Sequence, residues 1–235
     1  MENAIDIANK GCKLNDPNAC SFEGQLHYQR GPEFSAKAIV AFEQSCVLGK
    51  IESCVNVGNL HYAAGRKSEG VNHLTSICDK SPPTGCDELA AIYETGYEKV
   101  PADRLKAINL RRSACDKGDT NACSNLGWML QTGSLPTKAD LKEALSLYQK
   151  ACDGGNGFGC GNLGMMLADG NGLEKDDKRA LGLLHTGCEG GAGDACRYLS
   201  EFHLKGRAGL NVNPVAASLL LKRGCEFGDK QSCEN

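Results

Sequence analysis

The sequence repeats one arrangement of small, apolar and cysteine positions along its whole length. Seven pairs of cysteines share the separation C-x7-C: Cys12/Cys20, Cys46/Cys54, Cys78/Cys86, Cys115/Cys123, Cys152/Cys160, Cys188/Cys196 and Cys225/Cys233. The first members of successive pairs lie 32 to 37 residues apart. This period is typical of repeats that each contain a pair of helices, so an array of helical repeats is predicted.

The residues after the second cysteine of each pair predict one amphipathic helix per repeat. Apolar residues recur three, six and seven positions after that cysteine, and a small residue recurs at four, as in Leu163, Met166, Leu167 and Gly164. This spacing places the apolar side chains on one helix face, where a small residue allows another helix to approach closely. We name this helix A. The first repeat differs, because Glu23 occupies the position that is Val or Leu elsewhere.

The residues before the first cysteine predict a second helix, named helix B. A small residue, most often alanine, recurs eight positions before that cysteine, and a large apolar residue four positions before it in several repeats, as in Ala144 and Tyr148. A glycine three positions after it, such as Gly155, is typical of the left-handed residue that ends a helix. Each C-x7-C segment is therefore expected to start near the end of a helix B and to finish early in the next helix A.

These motifs resemble Sel1-like repeats, which are relatives of the tetratricopeptide repeat. The resemblance rests on the Leu163-Gly164 pair, the Gly-x-Gly-x-x-x-Asp loop at 170–176 and the run Ala144-x3-Tyr148-x2-Ala151-Cys152-x2-Gly155. The paired cysteines are similar to those of the Helicobacter cysteine-rich family of disulfide-bridged Sel1-like repeats. A more distant likeness is to a cysteine-rich Sel1-like assembly factor of the mitochondrial intermembrane space. Glu23, Gly70 and Ser81 depart from the repeat pattern.

The period and the resemblance predict an all-α fold, namely an α/α solenoid of Sel1-like repeats wound as a right-handed superhelix. We expect one solenoid domain over residues 1–235, with an N-terminal helix B at 1–18 and a C-terminal stub at 229–235. Six repeats are expected between them, at 19–50, 51–82, 83–118, 119–155, 156–191 and 192–228.

We interpret each cysteine pair as a disulfide. The end of one helix and the start of its antiparallel neighbour bring two Cα atoms within bonding distance. Each bridge would offset the thin packing of a chain with 6% aromatic residues and 29 glycines. Two alternatives stay open: reduced cysteines acting as small core residues, and zinc held by two pairs, although structural zinc sites favour ligand separations of two to four residues.

Composition limits the class of protein and its compartment. The net charge of −3 without a long basic run argues against nucleic acid as a partner, and a mean hydropathy of −0.35 argues against a membrane span. Fourteen cysteines indicate an oxidising compartment, and we expect a secreted or periplasmic monomer, with the mitochondrial intermembrane space as the alternative. Residues 1–13 are expected to form a helix B and not a signal peptide. Arg104, Lys106, Arg111 and Arg112 are expected to form a solvated face.

The expected function is a non-enzymatic protein-interaction module that binds a peptide or protein segment on its concave face. In helix-pair solenoids the A helices line that face. Positions one, five and eight after the second cysteine are expected to turn toward solvent, and aromatic and methionine side chains mixed with amides are typical of binding surfaces. The predicted partner-binding residues are Tyr28, Asn59, Tyr62, Ser124, Trp128, Gln131, Met165, Arg197 and Glu201.

Two alternative functions follow from the resemblance. The first is a β-lactam-binding hydrolase of β-lactamase type, but the sequence has no Ser-x-x-Lys, Lys-Thr-Gly, Gly-x-Ser-x-Gly or His-Glu-x-x-His, and such a site would depend on Ser124 or Ser200. The second is a respiratory-chain assembly factor that binds haem through His61 or His203. Because these histidines share a position with Leu130 and Leu167, packing is their expected role. No catalytic residue, cofactor or metal is predicted.

Overall fold

The computed structural model describes residues 2–80, 85–96, 101–133 and 140–234. These residues form fourteen α-helices and no strand. The helices are α1 (Glu2–Lys13), α2 (Pro17–Gln29), α3 (Ser35–Val47), α4 (Ile51–Ala63), α5 (Lys67–Lys80), α6 (Cys86–Thr95), α7 (Arg104–Asp116), α8 (Thr120–Thr132), α9 (Leu141–Asp153), α10 (Gly157–Asp169), α11 (Asp177–Glu189), α12 (Gly193–Lys205), α13 (Pro214–Glu226) and α14 (Lys230–Cys233). Ser81 and the expected repeat boundary at 82/83 lie outside the described residues.

The chain divides into two compact units, Met1–Lys117 with α1 to α7 and Gly118–Asn235 with α8 to α14. In each unit consecutive helices pack against one another. The even-numbered helices are the predicted A helices and the odd-numbered ones the predicted B helices, with α14 as the C-terminal stub. The predicted all-α fold of Sel1-like helix pairs is therefore confirmed. None of the helices in the described parts of the chain has the length and apolar character to cross a membrane.

Where the structure describes the residue three positions after the first cysteine of a pair, that residue is left-handed, as the sequence predicts. Gly155 has a φ of 85°, and the first repeat uses Asn15 instead, with a φ of 62°. The Gly155 N–H donates to the Cys152 carbonyl at 2.9 Å, which closes the end of α9. Asn156 then caps α10, because its side-chain oxygen accepts from the Gly159 N–H at 2.8 Å. The chain thus reverses direction in three residues.

Disulfide bonds span these turns. Three lie in the first unit and three in the second, with Cα–Cα distances of 4.4 to 4.8 Å: Cys12–Cys20, Cys46–Cys54, Cys78–Cys86, Cys152–Cys160, Cys188–Cys196 and Cys225–Cys233. Cys115 and Cys123 are also disulfide-bonded. Closing a loop of about nine residues removes unfolded-state freedom equivalent to about 2–3 kcal/mol per bridge in the chain-entropy model. Within each unit, the covalent links therefore hold the end of a helix B beside the start of the next helix A.

In several repeats the core pairs a glycine on helix A with a large residue on helix B. Phe42 lies against Gly24, and Leu184 lies against Gly164. These large residues and the apolar stripe of helix A are buried, as in Val57, Leu126, Met129, Leu163, Met166, Leu199 and Phe202. Packing therefore fixes which face of each helix A is available to solvent.

Candidate functional site

The exposed side of the A helices carries a stripe at positions two before, two after and five after the second cysteine. We call this stripe the A-helix face. In the second unit its members are Asn121, Asn125 and Trp128 on α8, Phe158, Asn162 and Met165 on α10, and Asp194, Tyr198 and Glu201 on α12, all of them exposed or half-buried. Helix α10 contacts both α8 and α12, so the three helices form one continuous surface.

Large apolar side chains on this surface remain exposed to solvent. Trp128 is 50% exposed and Phe158 is 57% exposed. A groove of about 200 Å³ begins beside Phe158 and is lined by Met165 from the same helix and by Phe227 from the turn after α13. Aromatic and methionine side chains that stay accessible beside a groove are typical anchors for a bound protein segment.

Two carboxyl groups give the groove a negative side. Asp194 and Asp229 both line it. Burial raises the pKa of Asp194, and its hydrogen bond to Asp229 and the nearby Asp229 charge raise it further. Burial also favours neutral Asp229, but hydrogen bonds from Ser232 and Asp194 and the charge of Arg197 outweigh burial and lower its pKa. A cationic group entering the groove would favour the charged form of Asp194.

The first unit has a second groove on its A helices, of about 370 Å³. Gln25 and Tyr28 of α2 line one side, and Asn56 and Asn59 of α4 line the other. Tyr28 is exposed, whereas Tyr62 on α4 is half-buried with the Lys67 ammonium 5.4 Å from its ring centroid. The amide side chains offer the donors and acceptors that an extended backbone requires.

Two residues predicted for the binding face point elsewhere. Ser124, at position one after the cysteine, is only 4% exposed, which contradicts its expected place on a solvent-facing surface. Gln131 is half-buried and its Oε1 accepts from the Tyr148 hydroxyl at 2.8 Å. Residues three and four apart share a helix face, so both lie on the side of Gly127, which packs on α9.

Arg197 also makes contacts that stabilise the fold. Its Nε donates to Asp229 Oδ2 at 3.1 Å, and its guanidinium lies 5.0 Å from the Tyr198 ring centroid. Glu201 is half-buried and accepts from Lys205 at 2.7 Å. Of the predicted set, Tyr28, Asn59, Trp128, Met165 and Glu201 lie on or beside the A-helix face.

The sequence prediction missed several residues of the A-helix face and of the groove beside it. Phe158, Asn162 and Phe227 belong to the groove of the second unit but stand at positions that were not considered. Phe158 and Asn162 lie seven and three residues before Met165, so helical spacing from Met165 was sufficient to find them.

The residues on which the alternative functions depend are mostly enclosed. Ser124 and Ser200 are buried, and the Ser200 hydroxyl donates to the Arg197 carbonyl at 2.7 Å. His203 Nδ1 is buried and has no hydrogen-bond partner among the described residues, and His61 Nδ1 lies 3.1 Å from Glu69 Oε2. No group of three metal-ligating side chains occurs in the ranges that the structure describes.

Comparison of the sequence with models of known families identifies the repeat family. The model of the Sel1 repeat matches residues 83–119, 120–156, 158–191 and 193–229, which is more than half of the chain. The chain belongs to the Sel1 repeat family. No curated protein matches the sequence of this Sel1 repeat protein.

Solved structures share the fold of this Sel1 repeat protein. A Sel1 repeat protein from Oxalobacter formigenes has a TM-score of 0.72 at 21% identity, over 91% of this chain and 89% of its own. A protective antigen of uropathogenic Escherichia coli displaying an SLR fold has a TM-score of 0.70 at 21% identity, over 98% of this chain. This chain spans 52% of that antigen. Cysteine-rich protein B of Helicobacter pylori matches at 24% identity, over 59% of this chain and 97% of its own, with a TM-score of 0.44.

Sel1 repeat proteins typically act as protein-interaction scaffolds.

Proposed function

We propose that this Sel1 repeat protein is a non-enzymatic module that binds a peptide or protein segment on its A-helix face. The exposure of Trp128 and Phe158 on adjoining helices is the observation that carries the proposal. Packing explains why the apolar stripe of each helix A is buried, but it gives no reason for two large aromatic side chains to face solvent. A bound segment would cover them.

The groove beside Phe158 defines the chemistry of the segment. Met165 and Phe227 favour an apolar side chain, and Asp194 with Asp229 favours a basic one next to it. We therefore infer a segment in which an apolar residue is followed or preceded by Lys or Arg. The A helices lie side by side and form a continuous surface. An extended segment can therefore bind across them with little rearrangement of the protein.

The proposal also includes the compartment in which the protein acts. Disulfide bonds persist in oxidising surroundings and are reduced in the cytosol, so the bridged cysteines support a secreted or periplasmic location. We propose that the module acts there as a monomer.

A peptide display selection on the full oxidised chain tests the proposal. Trp128 is the only tryptophan, so its fluorescence reports contact at the A-helix face. Selected peptides are expected to contain an apolar residue beside a basic one and to change Trp128 emission. Trp128→Ala is expected to weaken binding by about tenfold or more, as for a central aromatic anchor.

The control variant is Val215→Ala, which alters an exposed apolar side chain on the helix B α13. It should bind the selected peptides with unchanged affinity. The proposal would be overturned if the selected peptides bound Trp128→Ala as tightly as Val215→Ala. It would also be overturned if they bound the wild type without changing Trp128 emission.

A further inference from the structure

A cavity of about 630 Å³ in the first unit lies away from the A-helix face, over α2 and between the B helices α1 and α3. Glu23 and His27, one turn apart on α2, line it together with Asn9 of α1 and with Lys37 and Val40 of α3. Its volume falls within the range of small-molecule sites. Glu23 is the unusual residue of this cavity, because its repeat position is apolar in the other repeats.

Glu23 is a buried carboxylate with few partners. It is 7% exposed, and Oε1 accepts one hydrogen bond, from Asn9 Nδ2 at 2.7 Å. Among the described residues, the only Lys, Arg or His nitrogen within 4 Å is His27 Nε2, which lies 3.8 Å from Oε1. The corresponding residues of the other repeats are Val57, Leu89, Leu126, Leu163 and Leu199. A buried carboxylate destabilises a fold relative to leucine, so packing does not explain Glu23.

His27 does not neutralise Glu23. The residue is 6% exposed, and Nδ1 has no hydrogen-bond partner in the described parts of the chain. Burial lowers the pKa of His27, Glu23 opposes that effect, and the charges of Lys37 and Arg30 lower the pKa further. The lowered pKa disfavours the charged imidazole, and among the described residues no Lys or Arg lies within 4 Å of the Glu23 carboxyl group.

The remaining acceptor capacity of Glu23 suits a compact cation. Since Asn9 already occupies Oε1, a guanidinium would lose its two-pronged fit to the carboxylate, whereas an ammonium needs a single oxygen. Val40 and Ile5 line the cavity and provide apolar contact for an alkyl chain. Asp6, Lys13 and Lys37 also line it, but their side chains are exposed and their charges are screened by water and salt.

We propose that the cavity between α1 and α3 binds a small molecule that carries a primary ammonium group, with the ammonium donating to Glu23 and the alkyl chain packed against Ile5 and Val40. The site is separate from the A-helix face. If the cavity does not bind the ammonium compound, the proposed peptide binding is therefore unaffected.

The test uses n-butylammonium chloride as the probe and n-butanol as its uncharged counterpart, at constant ionic strength. The isotopically labelled, oxidised full chain is titrated, and the ring signals of His27 are followed by NMR after assignment with a His27→Leu variant. Saturable shifts are expected with n-butylammonium. Binding of n-butanol should be at least about tenfold weaker, because its hydroxyl is an uncharged donor and lacks the attraction between an ammonium and a carboxylate.

Two variants separate ligand binding from a structural role. Glu23→Gln preserves size and the acceptor for Asn9, and it should abolish the saturable response to n-butylammonium. Glu23→Leu introduces the residue of the other repeats, and it should abolish the response while the melting temperature stays equal or rises. The matched control is Glu52→Gln, an exposed glutamate of α4, which should retain full binding.

Equal shifts with n-butanol, no saturable shift, or binding retained in Glu23→Gln would overturn the proposal. A lower melting temperature of Glu23→Leu would also count against it, because that result means that Glu23 serves to hold α1 on α2 through Asn9.

Discussion

The ring of Tyr148 lies against the backbone of Gly127, and a Cβ at position 127 would approach Tyr148 Cε1 at 2.9 Å. Tyr148 is fully buried, and burial raises the pKa of its phenol far above the usual value. Its hydroxyl donates to Gln131, so the ring is held at both ends. A glycine on helix A thus receives a large side chain of helix B, and this contact joins the two helices of the repeat.

Gly127→Ala should destabilise the protein by about 1–3 kcal/mol, because the new methyl group overpacks a fully buried contact. Equilibrium unfolding in denaturant without reductant measures the change. Gly182→Ala is the control: position 182 is inside α11, nothing lies within 4 Å of its added Cβ, and helix propensity alone should stabilise the protein by about 0.5–1 kcal/mol. Equal stability of the two variants would show that close approach at position 127 is unimportant.

Arg111 occupies the position on helix B where other repeats have a large apolar residue. It was expected to be solvated, but it is 5% exposed and bonded to Asp87 and Glu94, each at 2.8 Å. Burial disfavours its charge, yet these hydrogen bonds outweigh burial and raise its pKa. The polar network replaces the apolar contact of α7 with α6.

Arg111→Ala should cost about 3–5 kcal/mol of stability, because it removes a buried guanidinium that donates hydrogen bonds to two carboxylates. Arg111→Met should cost less, since it restores apolar contact and Asp87 and Glu94 are partly hydrated. Chemical unfolding of the oxidised chain compares the variants. Arg112→Ala, at an exposed position, is the control. If Arg111→Ala unfolds like the Arg112 control, the network does not support the fold.

Stability of the second unit should depend on pH through Asp177 and Arg207. Arg207 Nη2 donates to Asp177 Oδ1 at 2.6 Å, and Nε donates to Oδ2 at 3.0 Å. These hydrogen bonds lower the pKa of Asp177 below its usual value of 3.8. The folded state therefore holds this proton more weakly than the unfolded chain does, and the stabilisation is complete above pH 3.8 and is lost as pH falls toward the lowered pKa.

Asp177→Asn should be less stable than the wild type at pH 7, and the difference should shrink as the pH falls below about 4. Thermal unfolding at pH 7 and pH 3 checks this prediction. A difference that is constant over this range, or that grows in acid, would show that the ionised carboxylate does not mediate the effect.

The sequence determined the helix pairs and the cysteine pairing because both follow from a repeated spacing. It predicted less well which way single side chains face. Ser124 looked exposed because only its own helix was considered, whereas its burial follows from the packing of α8 on α9. Arg111 looked solvated because it sits among other basic residues, although its repeat position is apolar elsewhere. In both cases the partner helix decides the environment, and one helical period does not contain that information.

Peptide mapping by mass spectrometry of the unreduced protein tests the bridged-helix architecture most directly. The protein is denatured, treated with an alkylating reagent without reductant, and digested with trypsin. Cys152 and Cys160 remain in one peptide, which should be two hydrogens lighter than the free-thiol form, whereas cleavage at Lys50 should leave Cys46 and Cys54 in two linked peptides. Alkylated cysteines, or links between cysteines of different pairs, would contradict the architecture on which the A-helix face depends.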